Sequence, residues 1–208
     1  MLAVLSDLES ITIIRQTPKK ATQHSTIRLH ATIVSPPTAR AQTGIMATWR
    51  PLHVSDIGDL LRIASEIHPS LPESPAVFTE RLELFPSGCY ALVEDSELCG
   101  YIISHPIRQH QPPTLDSLLG EIASEADQYY IHDLAILPKM RGRGFAADIM
   151  DKISTVASRY ETTCLVSVYG TEKFWARFGF VTEVVDQGLG EKLLEYGNDA
   201  IYLSHRNK

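Results

Sequence analysis

The stretch QYYIHDLAILPKMRGRGFAADIM, residues 128–150, constrains the fold more than any other part of the chain. QYYIHDLAIL reads as a strand, and it stops at Pro138, which has no N–H to give to a ladder. Gly142 and Gly144 flank Arg143, and a helix is expected from Phe145 to Tyr160. A strand, a glycine loop and a helix N-terminus in that order present unpaired N–H groups at a positive helix end. Such a place suits an anion, a pyrophosphate above all. Neither familiar phosphate loop fits, because no Lys-Ser or Lys-Thr follows the glycines and the spacing is not GxGxxG.

The rest of the chain beyond Met46 alternates in the same way. MATWRPL reads as a short strand. Ser55 or Asp56 then caps a helix carrying Ile57, Leu60, Leu61, Ala64 and Ile67. HPSLPESP ends that helix, and a second runs from about Ala76 to Phe85. CYALVED and LCGYIIS form a hairpin around Asp95 and Ser96. Residues 105–127 read as a long connection with one helical turn at Leu115–Leu119. After the glycine loop come a buried strand (TCLVSVYG), a short helix (TEKFWARFG) and two strands (FVTEVV and AIYLSH). The expected order is β-α-α-β-β-β-α-β-α-β-β.

Composition bounds what such a domain does. The 208 residues are 44% hydrophobic and carry a formal net charge of −6, so no overall positive field exists to hold nucleic acid. No apolar run approaches the roughly 20 residues of a membrane span. Cys89, Cys99 and Cys164 are too far apart for a zinc knuckle or a redox pair and are expected as reduced core thiols in the cytoplasm. From Ser10 to Ser55 there is no Asp or Glu, while Arg15, Lys19, Lys20, Arg28, Arg40 and Arg50 are basic. That resembles a mitochondrial presequence, but Asp7, Glu9 and the proline-bearing SPPTARAQTG argue against one. The favoured reading is a disordered extension over residues 1–46, or an upstream start preceding Met46, followed by one domain over 47–208.

At this point the residues resemble a family, the GCN5-related N-acetyltransferases (GNAT). Their acetyl-CoA signature is Gln or Arg, two residues, Gly, one residue, then Gly or Ala, set between the fourth strand and third helix. Arg141-Gly142-Arg143-Gly144-Phe145-Ala146 matches it throughout. FWARFGF, residues 174–180, is similar to the family's second marker, an aromatic short helix ending in Gly-Phe. The chain is also similar to a subset carrying GYxxSHP, then PP, then YxHDLA. The resemblance covers about residues 47–208 and implies an α/β (α+β) GNAT fold, a mixed sheet of about six to seven strands with about four helices. It implies acetyl-CoA as co-substrate, no metal, and a monomer or homodimer.

The resemblance also implies roles. The pantetheine arm would run along Leu134, Ala135 and Ile136, and the pyrophosphate would rest on residues 141–146 with Arg141 and Arg143 supplying charge. Acetyl transfer needs a proton acceptor, since an amine with a pKa of about 10.4 is protonated at neutral pH. Arylalkylamine-specific members carry two histidines where this chain has Tyr130 and His132, and histone-type members carry a glutamate at the first. His132 is therefore the expected base, set against a structural histidine; a free imidazole titrates near about 6.5. By the period of two, Tyr130 and His132 share one face and Asp133 lies on the other, a buried carboxylate satisfied by backbone donors. Many members place a tyrosine acid where this chain has Trp175, whose indole cannot serve. Tyr169 or Tyr130 substitutes, or the thiolate leaves unassisted. Phe174 and Trp175 wall the cofactor channel or pack in the core.

The acceptor pocket would be built from HPSLPESP, residues 105–127 and DQGLGEKLLEYGN. Glu73, Asp116, Glu121 and Glu125 would attract a cationic amine, or form a solvated acidic surface. His105 and His110 read as exposed loop histidines without metal partners. The expected activity is N-acetylation of a primary amine, foremost a small molecule, with a protein lysine or N-terminus as alternative. A CoA-binding module of weak activity is the reading of another class. An RNA-binding RGRG segment is disfavoured by the acidic chain.

Overall fold

The computed structural model describes residues 46–208, so the expectations for residues 1–45 lie outside the described residues. The elements in chain order are β1 (Thr48–Pro51), α1 (Ile57–Ile67), α2 (Pro75–Leu84), β2 (Tyr90–Glu94), β3 (Glu97–Ile107) and β4 (Gln128–Ile136). They continue with α3 (Phe145–Ala157), β5 (Thr162–Ser167), α4 (Glu172–Ala176), β6 (Val181–Thr182), α5 (Gln187–Leu193) and β7 (Ile201–Arg206). The strands make one seven-stranded sheet in the order β1-β2-β3-β4-β5-β7-β6. Every pairing is antiparallel except β4 with β5.

Local chemistry explains the borders. Asp95 and Ser96 both take positive φ, 50° and 69°, the backbone that a two-residue hairpin needs to match strand twist. α1 buries Leu60 and Ile63, one turn apart, against β3, and α2 starts with Pro75 at a position whose N–H would have no helical partner. One face of the sheet packs Tyr101, Ile103 and Ala135 under α1 and α2; the other packs Tyr129, Ile131 and Leu165 under α3.

Two irregularities of β4 position everything that follows. First, its parallel ladder with β5 covers only Gln128, Tyr129 and Tyr130, opposite Thr162, Thr163 and Cys164. Beyond Tyr130 the two strands part, and β5 continues alongside β7. Second, β4 bulges: Ser104 pairs with Ile131 but Ile103 with Asp133, so His132 is the extra residue. Both His132 and Asp133 therefore face the α1–α2 side, which corrects the strict alternation expected from the sequence.

Three further expectations change. β3 runs to Ile107, so His105 is a strand residue with no exposure rather than an exposed loop histidine. Leu115–Leu119 forms no helical turn, although the connection itself is present from Arg108 to Asp127. DQGLGEKLLEYGN contains a fifth helix, α5, capped by the Asp186 carboxylate, which accepts a 2.8 Å hydrogen bond from the Leu189 N–H. All three cysteines are buried and free, as expected. No helix among the described residues is long and apolar enough to cross a membrane.

Candidate active site

The parting of β4 from β5 opens a groove of about 830 Å³ that runs to the glycine loop. Leu134 and Ile136 line it from β4, Arg141, Gly142 and Gly144 from the loop, and Phe174 from α4. On its β5 side, β4 has no ladder partner beyond Tyr130, so this edge is free to bond an extended ligand arm. Gly142 and Gly144 sit at φ 73° and 92°, where other residues are strained. Their conformations turn the N–H groups of residues 142–146 outward; none of these five makes a hydrogen bond among the described residues. They stand at the N-terminus of the 13-residue α3, whose dipole favours an anion.

A smaller cavity of about 130 Å³ adjoins the groove, and the two share His68, Leu134, Tyr169, Thr171 and Phe174 as wall. Two histidine–carboxylate pairs line it. His132 Nε2 lies 2.8 Å from Glu73 Oε2, with side-chain exposures of 4% and 9%. His132 Nδ1 is buried without a partner. His68, which ends α1, places Nε2 3.0 Å from Asp133 Oδ1, off the line of a hydrogen bond, and its ring stacks on Tyr169 at 5.8 Å. Asp133 also accepts from the Tyr101 hydroxyl at 2.5 Å. Its partners are thus side chains, not the backbone donors expected from sequence.

These contacts set the proton affinities. Burial by itself would lower the His68 pKa, but the Asp133 carboxylate outweighs it and the pKa stands raised. Burial would raise Asp133, but the charge and contact of His68 and the Tyr101 donor hold it below the usual carboxylate range. Burial pushes the Tyr130 hydroxyl well above its ordinary value and, together with the neighbouring His132, holds His105 well below its own. Among the described residues no group of three or more His, Cys, Asp or Glu side chains could hold a metal ion.

The profile of the acetyltransferase (GNAT) family matches residues 57–180, from α1 through α4. The chain belongs to the GNAT acetyltransferase family. No curated protein matches the sequence. Among solved structures, this GNAT protein is similar to the loading GNATL domain of CurA from Lyngbya majuscula, with a TM-score of 0.64 and 14% identity over 77% of this chain and 98% of that one. It is similar to Ard1 from Thermoplasma volcanium, with a TM-score of 0.59 and 15% identity over 78% and 98%. A third is Naa50 of Arabidopsis thaliana in complex with the bisubstrate analogue CoA-Ac-MVNAL, with a TM-score of 0.57 and 13% identity over 76% and 97%. Identities this low establish the fold alone.

Within the GNAT fold the expected site residues separate into groups. Leu134, Ile136, Arg141, Gly142, Gly144, Phe145, Ala146 and Phe174 line the groove. Ala135 is buried on the opposite face, and Arg143 turns aside to Glu94 at 3.0 Å while its guanidinium lies over the Phe145 ring. Tyr130, His132 and Tyr169 meet at the smaller cavity, where Trp175 forms apolar wall within the α3-side core. Glu73, weighed as surface, has a largely covered side chain at the cavity; Asp116 accepts from the Ser74 N–H at 2.7 Å, and Glu125 pairs with Arg108 in solvent. His110 is half-buried against Glu183 at 2.6 Å rather than exposed. His68, Tyr196 and Arg177 also line these spaces; the sequence analysis places them only within the segments HPSLPESP, DQGLGEKLLEYGN and FWARFGF and does not single them out. For His68 the available signal was its place at the end of an amphipathic helix, directly before the prolines.

Proposed function

We propose that this GNAT protein transfers the acetyl group of acetyl-CoA to a small primary amine, by direct attack of the amine on the thioester. One observation carries the reading: a cofactor-sized groove and a smaller cavity meet where β4 leaves β5, with the carboxylate-backed His68 at that meeting point and a second such histidine, His132, in the cavity wall. The free N–H groups of residues 142–146 and Arg141 fit the pyrophosphate, and the unpaired edge of β4 at Leu134–Ile136 fits the pantetheine arm. Bound acetyl-CoA supplies the activated acyl group.

The residues of this chain supply orientation and proton transfer. His68 borders both spaces, so in this reading it takes the proton from the amine, directly or through one water, with Asp133 stabilising the imidazolium that forms. His132, the base expected from its strand position, borders only the smaller cavity and is the second candidate. Tyr169 lines both spaces and is 44% exposed, which suits it to protonate the departing thiolate; Tyr130 lies deeper and is fully buried.

Trp175 favours a second reading, a CoA-binding module of weak activity, because its buried indole cannot act as an acid at that position of α4. Thiol release from acetyl-CoA, measured across a panel of amines and peptides, separates the two. Turnover of a small amine supports the enzyme. Measurable CoA binding with no turnover on any acceptor supports the module.

A further inference from the structure

The smaller cavity carries information about the acceptor itself. Its 130 Å³ compares with a cavity of about 150 Å³ that holds a single benzene. Most of its wall is apolar, including Leu71, Phe78, Leu115, Ile131 and Leu165. No Lys or Arg lines it, and each of its carboxylates, Glu73 and Asp133, already faces one histidine. The nearby Arg81 has no exposure and is spent elsewhere, on Glu80 and on the Ser117 carbonyl at 2.7 Å. A carboxylate on the acceptor would meet no free cation here and would lie beside the largely covered carboxylates of Glu73 and Asp133. By contrast, ring nitrogens of both histidines on its wall, His68 and His132, are buried without a hydrogen-bond partner. With Nε2–H donated to Glu73, the buried Nδ1 of His132 accepts, so it matches an N–H or O–H donor.

One wall of the cavity, not shared with the groove, is held in place by the fold. Leu115 and Tyr196 form that wall, and the connection bearing Leu115 is tied down at several points. The Glu80 carboxylate accepts from the N–H groups of Leu119 and Gly120 at 2.7 and 2.8 Å, and the Tyr196 hydroxyl donates to the Pro113 carbonyl.

We propose that the acceptor is a compact primary amine of roughly six to eight non-hydrogen atoms, apolar apart from its donor groups and free of carboxylate. The inference rests on the preceding reading of this cavity as the acceptor site. Two measurements on the full chain test it. Thiol release is followed with matched acceptors: benzylamine against phenylglycine, hexylamine against ε-aminocaproate, and a lysine-bearing peptide. Calorimetry then measures binding of the same compounds to the protein–CoA complex.

The carboxylate-free member of each pair should win in kcat/KM by at least about 100-fold, the scale set by leaving a buried charge unpaired. Leu115→Trp, which fills the cavity, should abolish benzylamine binding and leave CoA affinity unchanged. Comparable use of phenylglycine and benzylamine, or preference for the peptide, overturns the inference while leaving the enzyme reading intact. Selective benzylamine binding without turnover of any acceptor does the reverse: the assigned class stands and the enzyme reading fails.

Discussion

Replacing Asp133 by Asn isolates the contribution of one carboxylate to the proposed proton acceptor. Unit charges 3.0 Å apart attract by about 5 kcal/mol at an effective dielectric near 20, and the burial of His68 opposes that attraction. The balance leaves the imidazolium favoured and the His68 pKa raised. In Asp133→Asn the attraction disappears while the burial stays, so the pKa falls. Because the base works unprotonated, kcat should rise with pH through the His68 pKa, and this limb should move to lower pH in the variant. The plateau should also drop by roughly 10²-fold, the lower bound of what a positioned general base contributes. His68→Gln should remove the limb and lose about 10²–10⁴-fold in kcat with the KM for acetyl-CoA unchanged. The assay is kcat at saturating acetyl-CoA and amine between about pH 5.5 and 9.5, where kcat reports groups in the bound complex. A variant limb that coincides with wild type, or moves to higher pH, refutes His68 as the base. The same loss in His132→Gln with His68→Gln unaffected would transfer the role to His132.

Four other outcomes follow from particular contacts. The His68–Asp133 pair stabilises the fold through a depressed carboxylate and a raised imidazole. Its contribution is full only above the unfolded Asp pKa of about 3.9 and below the unfolded His pKa of about 6.5, and it fades as pH rises through the raised His68 value. Urea midpoints of wild type and Asp133→Asn should therefore converge toward alkaline pH. Gly144→Val forces a side chain into φ 92° without any steric clash, so CoA affinity should weaken, by about tenfold for a backbone strain of 1–3 kcal/mol, as read by calorimetry. Gly88→Ala would bring a Cβ to 2.0 Å from the Ser104 carbonyl oxygen and should lower stability by about 1–3 kcal/mol or more in denaturant titration. Arg81→Met leaves the Glu80 carboxylate without its buried cation and should cost about 3–5 kcal/mol in the same measurement.

Much of the fold was readable because its signals are local. The Asp95–Ser96 hairpin, the apolar stripe of α1 and the loop–helix unit at residues 141–157 each depend on neighbours within a few positions, whereas the expected α1 cap is not made because the Asp56 carboxylate pairs with Arg50 and the His53 N–H. His105 was misread because Pro106 next to it suggests a loop; the strand tolerates the proline, which lies opposite Tyr129 near the end of β3. α5 was missed because two glycines fall inside it, although Asp186 three residues before Leu189 was a usable cap signal.

The segments that line the groove and the smaller cavity were legible, including HPSLPESP, residues 105–127 and DQGLGEKLLEYGN, while the side-chain pairings within the cavity were not, for a physical reason. The proposed pyrophosphate cradle is one continuous segment. The smaller cavity, the proposed acceptor site, joins Glu73 to His132, His68 to Asp133 and Tyr196 to the 108–127 connection across long stretches of chain. A single extra residue in β4 decides which of its side chains share a face, and no periodicity reveals it.

The central claim is acetyl transfer at the meeting point of groove and cavity. Its most direct test is incubation of the purified chain with isotopically labelled acetyl-CoA and benzylamine, with products resolved by mass spectrometry. The account predicts labelled N-acetylbenzylamine and free CoA in equal amounts, both lost together in His68→Gln. CoA bound at the groove with no labelled amide formed from benzylamine or any other amine would contradict it.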